Sequence, residues 1–231
     1  LNYRGRGVGY LARGDVDYVL VEADGSRMRP IKAPATHEPV IPPATTLLVP
    51  MAGLDALEGM LEDVAHRPEQ IEAIMNDESG IMNEEGAWVV DGRLTAAGLA
   101  GVLAHPRGGL KDVPAGARVV PFLNKADTAE RLTAAREAAA LLLREPRVQR
   151  VLIGSLRSEH PVREVWRRVA AVVLAAGESR RMGANKLLLP WGDATVLERT
   201  LSHVAASGVS SILAVVGHQR ELTEPLAGRY G

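Results

Sequence analysis

Ala171-Val-Val-Leu-Ala-Ala-Gly-Glu-Ser-Arg-Arg-Met-Gly-Ala-Asn-Lys186 is the stretch that decides the fold. Its four apolar residues, Ala171 to Leu174, have the length and composition of a buried strand. They run directly into a loop, Ala175 to Lys186, that carries two glycines, a serine and three cations. Gly177 and Gly183 let backbone amides approach a polyphosphate, while Arg181 and Lys186 offset charge on its oxygens. The loop is an anion cradle by composition. It is not a Walker loop, since no glycine precedes Lys186 and no Ser or Thr follows it, and it lacks dinucleotide-fingerprint spacing. A solvated turn with ordinary surface arginines is the competing reading.

The pattern continues outward. Short apolar runs at Tyr18 to Val21, Thr46 to Val49, Val119 to Leu123, Val151 to Ile153 and Ile212 to Val216 have the rhythm of buried parallel strands. Between them lie stretches of helical period. In Thr128 to Glu145, Leu132, Ala135, Ala139 and Leu142 share a face and Pro146 enforces a stop. In Thr195 to Ser207, Thr195 and Glu198 have capping-box spacing, Leu197, Leu201 and Val204 form the stripe, and Gly208 is placed to end the helix. Alternating strand and helix predicts α/β layers. The proline-rich stretch Ala33 to Pro43 must be a loop, because proline fits neither ladder. The charged stretch Ser158 to Arg168 is the expected boundary between a portion at 1–168 and one at 169–231. Its arginines Arg163, Arg167 and Arg168 are expected on a solvated boundary helix.

Leu-Ala-Ala-Gly-x-Ser-x-Arg-Met-Gly-x-x-Lys followed by Leu-Leu-Pro resembles the opening of the MobA-like molybdenum-cofactor nucleotidyltransferases, and the likeness extends to Val-Val-Gly-His at Val215 to His218. It implies a Rossmann-like βαβ unit. Leu174, Ala175, Ala176 and Gly177 would lie against base and sugar, Ser179 and Gly183 would belong to the nucleotide loop, and Arg181 and Lys186 would act on the phosphates. The implied reaction transfers a nucleotide from CTP or GTP onto molybdopterin with Mg2+. The later carboxylate that would hold magnesium has no candidate before Gly231, and the chain opens on Leu1, so a fragment is expected that binds nucleotide without completing transfer.

The first portion has its own signals. Asp17-Tyr-Val-Leu-Val-Glu-Ala-Asp-Gly-Ser26 sets Glu22 and Asp24 at the end of an apolar strand, where nucleotide hydrolases meet magnesium and the terminal phosphate. Val119 to Leu123 leads into Asn124-Lys125-Ala126-Asp127, the string with which GTPases read guanine, Asp127 accepting from the base's N–H groups. Another strand ends at Ile153-Gly154-Ser155, where a backbone amide could contact the same base. The alternative for Asn124 to Asp127 is a plain helix cap. Val-Glu-Ala-Asp-Gly-Ser-Arg-Met-Arg-Pro-Ile-Lys-Ala-Pro, then His37-Glu38-Pro39-Val40-Ile41-Pro42, resembles the accessory protein of selenium-dependent molybdenum hydroxylases over roughly Asp15 to Arg157. The likeness implies a P-loop-GTPase-like parallel sheet whose client is an apo-molybdenum hydroxylase. No Gly-Lys-Ser/Thr ending occurs in Leu1 to Gly14, so guanine-end features without appreciable GTP affinity are expected.

The bulk composition narrows the classes. With 231 residues, 46% of them hydrophobic, the chain can build a core. Its 27 basic and 28 acidic residues nearly cancel, which gives no field to draw nucleic acid or an anionic membrane. Cysteine is absent, excluding disulfides, thiolate metal sites and cysteine nucleophiles, and the cytoplasm is the expected compartment. The six histidines show no close helical pairing of the zinc type. His37 beside Glu38 is the exception that could meet metal or substrate, against a loop-ordering hydrogen bond. Ser26 and Ser179 have no histidine base at motif spacing. The rival to an enzyme is a non-catalytic metallocofactor chaperone or scaffold.

Overall fold

The computed structural model describes residues 17–76, 87–179 and 183–230. In chain order the strands are β1 (Ile31–Lys32), β2 (Leu47–Leu48), β3 (Met51–Gly53), β4 (Ala65–His66), β5 (Val89–Val90), β6 (Arg93–Leu94), β7 (Arg118–Val119), β8 (Phe122–Asn124), β9 (Arg150–Gly154), β10 (Val162–Arg167), β11 (Ala170–Ala175), β12 (Pro190–Trp191), β13 (Ala194–Thr195) and β14 (Ser211–Val216). The α-helices are α1 (Leu61–Val64), α2 (Pro68–Met75), α3 (Ala96–Ala104), α4 (Ala129–Leu142), α5 (Val196–Ala206) and α6 (Arg220–Ala227). Contacts within the chain divide it into two units, Leu1–Arg167 and Arg168–Gly231. Among the described residues no helix is long and apolar enough to cross a membrane.

The first unit is built on a sheet of order β10-β9-β8-β3, in which β3, β8 and β9 run parallel and β10 closes antiparallel on β9. Helix α4 starts where Thr128 Oγ1 accepts the Arg131 amide at 3.3 Å, and it buries Ala135, Ala138, Ala139, Leu141 and Leu142. Every residue of α3 is buried, as expected of a helix that is apolar all round. Both join one continuous core with Leu54, Ile71, Leu123, Val151 and Ile153.

Three expected elements differ. Val119 to Leu123 is split, because Pro121 has no N–H to donate: β7 pairs with β2, and β8 pairs with β3 and β9. In the same way Pro50 separates β2 from β3. Tyr18 to Val21 is not a strand. Tyr18 and Leu20 are 89% and 96% exposed, and the segment has no ladder partner among the described residues. An apolar run without a neighbouring edge cannot satisfy its backbone as a strand. The boundary stretch is strand rather than helix, since Val162–Arg167 follows period two, with Glu164 and Trp166 half-buried and their neighbours exposed. Arg163 and Arg167 therefore sit on β10, and Arg168 follows it.

The second unit is a βαβ element. Strands β11 and β14 pair in parallel from Ala170↔Ser211 to Ala175↔Val216, and α5 joins them. Thr195 and Glu198 form both halves of the capping box, and Gly208 follows the helix at φ +77°. Leu197 and Leu201 pack with Ala175 in the core of this unit, while Val172, Leu174 and Leu213 on the opposite sheet face are exposed.

Candidate functional site

In the second unit, the loop that follows β11 lies at the carboxyl ends of two parallel strands, the edge where α/β sheets bind ligands. Leu174 is 77% exposed, Ala175 is buried, and Ala176 and Gly177 are exposed. Ser179 takes a left-handed backbone, φ +50°, and its Oγ accepts the Lys186 amide at 3.1 Å, which closes the loop on itself. Gly183 is also left-handed, at φ +67°. Lys186 is exposed. Arg181, the other expected phosphate cation, lies outside the described residues.

Two further residues shape this edge, Gly217 of the Val-Val-Gly-His string and Asn185 of the loop, to which the sequence reading gave no role. The His218 amide donates to Ala176 O at 3.3 Å, and a Cβ on Gly217 would stand 2.7 Å from Ala176 Cβ and 3.0 Å from its carbonyl oxygen. Gly217 thus lets the two strand-end loops touch; a glycine directly after an apolar run was the available signal. Asn185 is buried, and its Oδ1 accepts the Leu187 amide while its Nδ2 has no partner.

In the first unit, the ends of β3, β8 and β9 converge. Asn124 Oδ1 accepts the amides of Lys125 at 2.8 Å and Leu156 at 3.0 Å, so its side chain clamps one strand end to the next loop. Lys125, at φ +64°, aims its ammonium at Asp55 Oδ2, 2.5 Å away. Asp127 remains half-exposed, with Arg131 at 3.8 Å. Arg131 itself is committed to Glu58 through two bonds of 2.6 and 2.7 Å, which hold the Glu58 carboxyl below its usual range. The cap of α4 is Thr128, so the Asn124–Asp127 string is not needed for capping. A cleft of about 490 Å³ opens beside it, lined by Ala126, Asp127, Ser155, Ser158, His160, Val162 and Arg163. Arg163 braces one wall by donating to Ala126 O at 2.7 Å.

The comparisons with known proteins fall on these two units. Residues 171–230 match the MobA-like NTP transferase domain. Residues 8–69 match the YqeC protein family. The uncharacterized protein YqeC of Escherichia coli K12 is 32% identical over 150 residues, 64% of this chain and 54% of that protein. CMP-5'-(3-aminopropyl)phosphonate synthase of Streptomyces rubellomurinus is 45% identical over 65 residues, 26% of this chain and 10% of that protein. The chain therefore spans about half of one curated relative and a tenth of the other. No solved structure matches.

The expected magnesium ligands are not gathered. Glu22 is exposed, and Asp24 Oδ2 pairs with Lys32 Nζ at 3.0 Å. Among the described residues no group of three or more His, Cys, Asp or Glu side chains is placed to hold a metal. An ammonium against one carboxylate opposes a divalent cation there, so as placed these residues do not fit magnesium.

Proposed function

We propose that the chain couples two nucleotide-handling units in the maturation of molybdenum-cofactor enzymes. The observation that carries this reading is the position of the Leu174 to Lys186 loop at the carboxyl ends of β11 and β14, closed by Ser179 and apposed to Gly217. In the second unit a nucleoside triphosphate lies with base and sugar against Leu174, Ala175, Ala176 and Gly177, and its phosphates meet Gly183, Lys186 and Arg181. A phosphate oxygen of molybdopterin attacks the α-phosphorus, the α–β bond breaks, and pyrophosphate leaves. Lys186 holds charge on the departing oxygens. CTP is favoured over GTP, because one relative is named for making a CMP-linked phosphonate. Mg2+, when bound, would offset charge on the triphosphate.

The first unit serves as a GTPase-like accessory portion for the client hydroxylase, with the Asp127 cleft taking a guanine base. Asp127 accepts from the ring and exocyclic N–H groups, and Asn124 and Lys125 fix the loop that presents it. Calorimetry with CTP and GTP tests the transferase site. Lys186→Ala removes a charge-assisted phosphate contact, so binding should weaken by roughly 1.5–3 kcal/mol, tenfold or more. Unchanged affinity for both nucleotides would overturn the assignment. Incubated with molybdopterin, Mg2+ and either triphosphate, this chain is expected to release little pyrophosphate, because no described residues gather a metal site; full turnover would show that the metal site has been misplaced.

A further inference from the structure

Within the first unit the segments 22–26 and 33–43 meet in a cluster of charges that includes Asp24, one of the two expected magnesium ligands, but none of the residues lining the Asp127 cleft. Lys32, whose side chain is only 8% exposed, reaches Gly25 O at 2.8 Å, Asp24 Oδ2 at 3.0 Å and Glu38 Oε2 at 2.6 Å. Arg67 reaches the same carboxylate, with Nη1 2.7 Å from Oε2 and Nη2 3.4 Å from Oε1. Lys111 Nζ holds the carbonyls of Ala35 and Thr36 at 3.1 Å each, and that of Glu38.

Two cations forked around two oxygens reproduce the way proteins bind a phosphate. Here a side chain of the protein supplies the oxygens. Three observations make Glu38 an occupant that can leave. Lys32 stays anchored without it, through Asp24 and Gly25. Of residues 33–43 only Ala33 is buried in the core and the segment joins no sheet; its backbone is held by Glu38 N to Ala35 O and Val40 N to Ala23 O, both 3.1 Å, by Thr45 on Pro42 O, and by the exchangeable side chain of Lys111 on three carbonyls. Arg67 is projected from a left-handed backbone, φ +67°, of the kind retained where a site requires it. A fourth observation is a polar atom beside the same charges. Among the described residues the buried His66 Nδ1 has no hydrogen-bond partner, and its ring lies in the field of Arg67, Lys32 and Glu38. Burial, and then those cations, hold that imidazole below its usual pKa and therefore neutral near pH 7, free to donate one hydrogen bond.

We propose that Lys32 and Arg67 form an oxyanion site for a phosphoryl group, which Glu38 fills in the absence of ligand and vacates, with its loop, when the anion binds. The proposal uses residues of the first unit alone and does not depend on the reading of the transferase loop. No bond is made or broken in the exchange.

Inorganic phosphate is the first probe, titrated by calorimetry into the wild-type chain, Glu38→Gln, Glu38→Ala and the double variant Glu38→Ala/Arg67→Ala. Removing the resident carboxylate should tighten phosphate binding on the order of tenfold or more, and the added Arg67→Ala should abolish the gain. In the wild-type chain, which needs no variant to fold, amide exchange at Glu38 and Val40 should quicken on addition of phosphate or GTP but not of guanosine. Acceleration by phosphate identifies the free anion as sufficient, and acceleration by GTP alone identifies a nucleotide-borne phosphoryl. Phosphate affinity unimproved in both single variants, with exchange at Glu38 and Val40 indifferent to phosphate and GTP, would overturn the proposal and leave an ion pair that only orders the loop.

Discussion

Replacing Glu38 by glutamine keeps the shape of the side chain and removes its charge, so the stability of the first unit should become less dependent on acid. Burial pushes the Glu38 carboxyl up, but hydrogen bonds from Lys32 and Arg67, and their charges, outweigh it and carry the carboxyl from 4.5 down to about 2. Each pKa unit corresponds to about 1.36 kcal/mol. The folded state therefore gains on the order of 3 kcal/mol from ionised Glu38, and the modest exposure of this side chain, 21%, leaves most of that unscreened. Because the folded value is the lower one, the gain is complete above roughly pH 4.5 and disappears as the pH falls through about 2. Urea unfolding of both proteins, followed by the fluorescence of buried Trp88, should show Glu38→Gln less stable by about 2–3 kcal/mol near neutral pH. The two curves should converge as the pH falls through the window between those values. A gap that is the same in acid and at neutrality, or one below about 1 kcal/mol at neutrality, would refute the electrostatic account.

Other outcomes follow from single contacts. Gly154→Ala would set a Cβ against Pro161 O, forcing the β9–β10 hairpin apart; a loss of about 1–3 kcal/mol is expected by thermal melting, and an unchanged melting temperature would refute the close approach. Thr128→Ala should cost about 1 kcal/mol in melting experiments while leaving base preference intact, whereas Asp127→Asn should relax guanine over adenine preference at little cost in stability. Competition binding in a protein that also carries the phosphate loop separates the two, and no guanine preference there would reduce Asp127 to a surface carboxylate. Gly217→Ala should weaken CTP and GTP binding by displacing Ala176, and an unchanged affinity would remove Gly217 from the nucleotide edge.

Much of this architecture is written in local pattern. Val151 to Ile153 and Ala171 to Leu174 are strands because their apolar runs find parallel neighbours in β8 and β14. Thr195 with Glu198 announces α5 through a cap that needs no tertiary help. Tyr18 to Val21 has the same composition and, among the described residues, no strand neighbour, a fact that no window of sequence contains. Val162–Arg167 misleads in the other direction, since its charges read as a solvated helix while Glu164 is drawn to Arg136, 28 residues away. The Lys32, Glu38 and Arg67 cluster, and the pairing of Lys125 with Asp55 across 70 residues, are likewise products of the fold. At the transferase loop the glycines and cations were legible, but the close approach of Gly217 to Ala176 depends on register between strands about 40 residues apart in sequence.

Among the described residues strand β10 is an edge of its sheet, and an edge is an invitation to polymerise, because its unpaired amides and carbonyls offer a template to any extended chain. This one is a poor template. Its register slips between Val162 and Glu164, so the hydrogen-bonding groups do not present an even row, and Arg163, Glu164 and Arg167 place alternating charge along it. An incoming strand would have to match the irregularity and desolvate the charges at once. The hairpin that walls the Asp127 cleft therefore carries, in its own sequence, the means to discourage amyloid-like stacking.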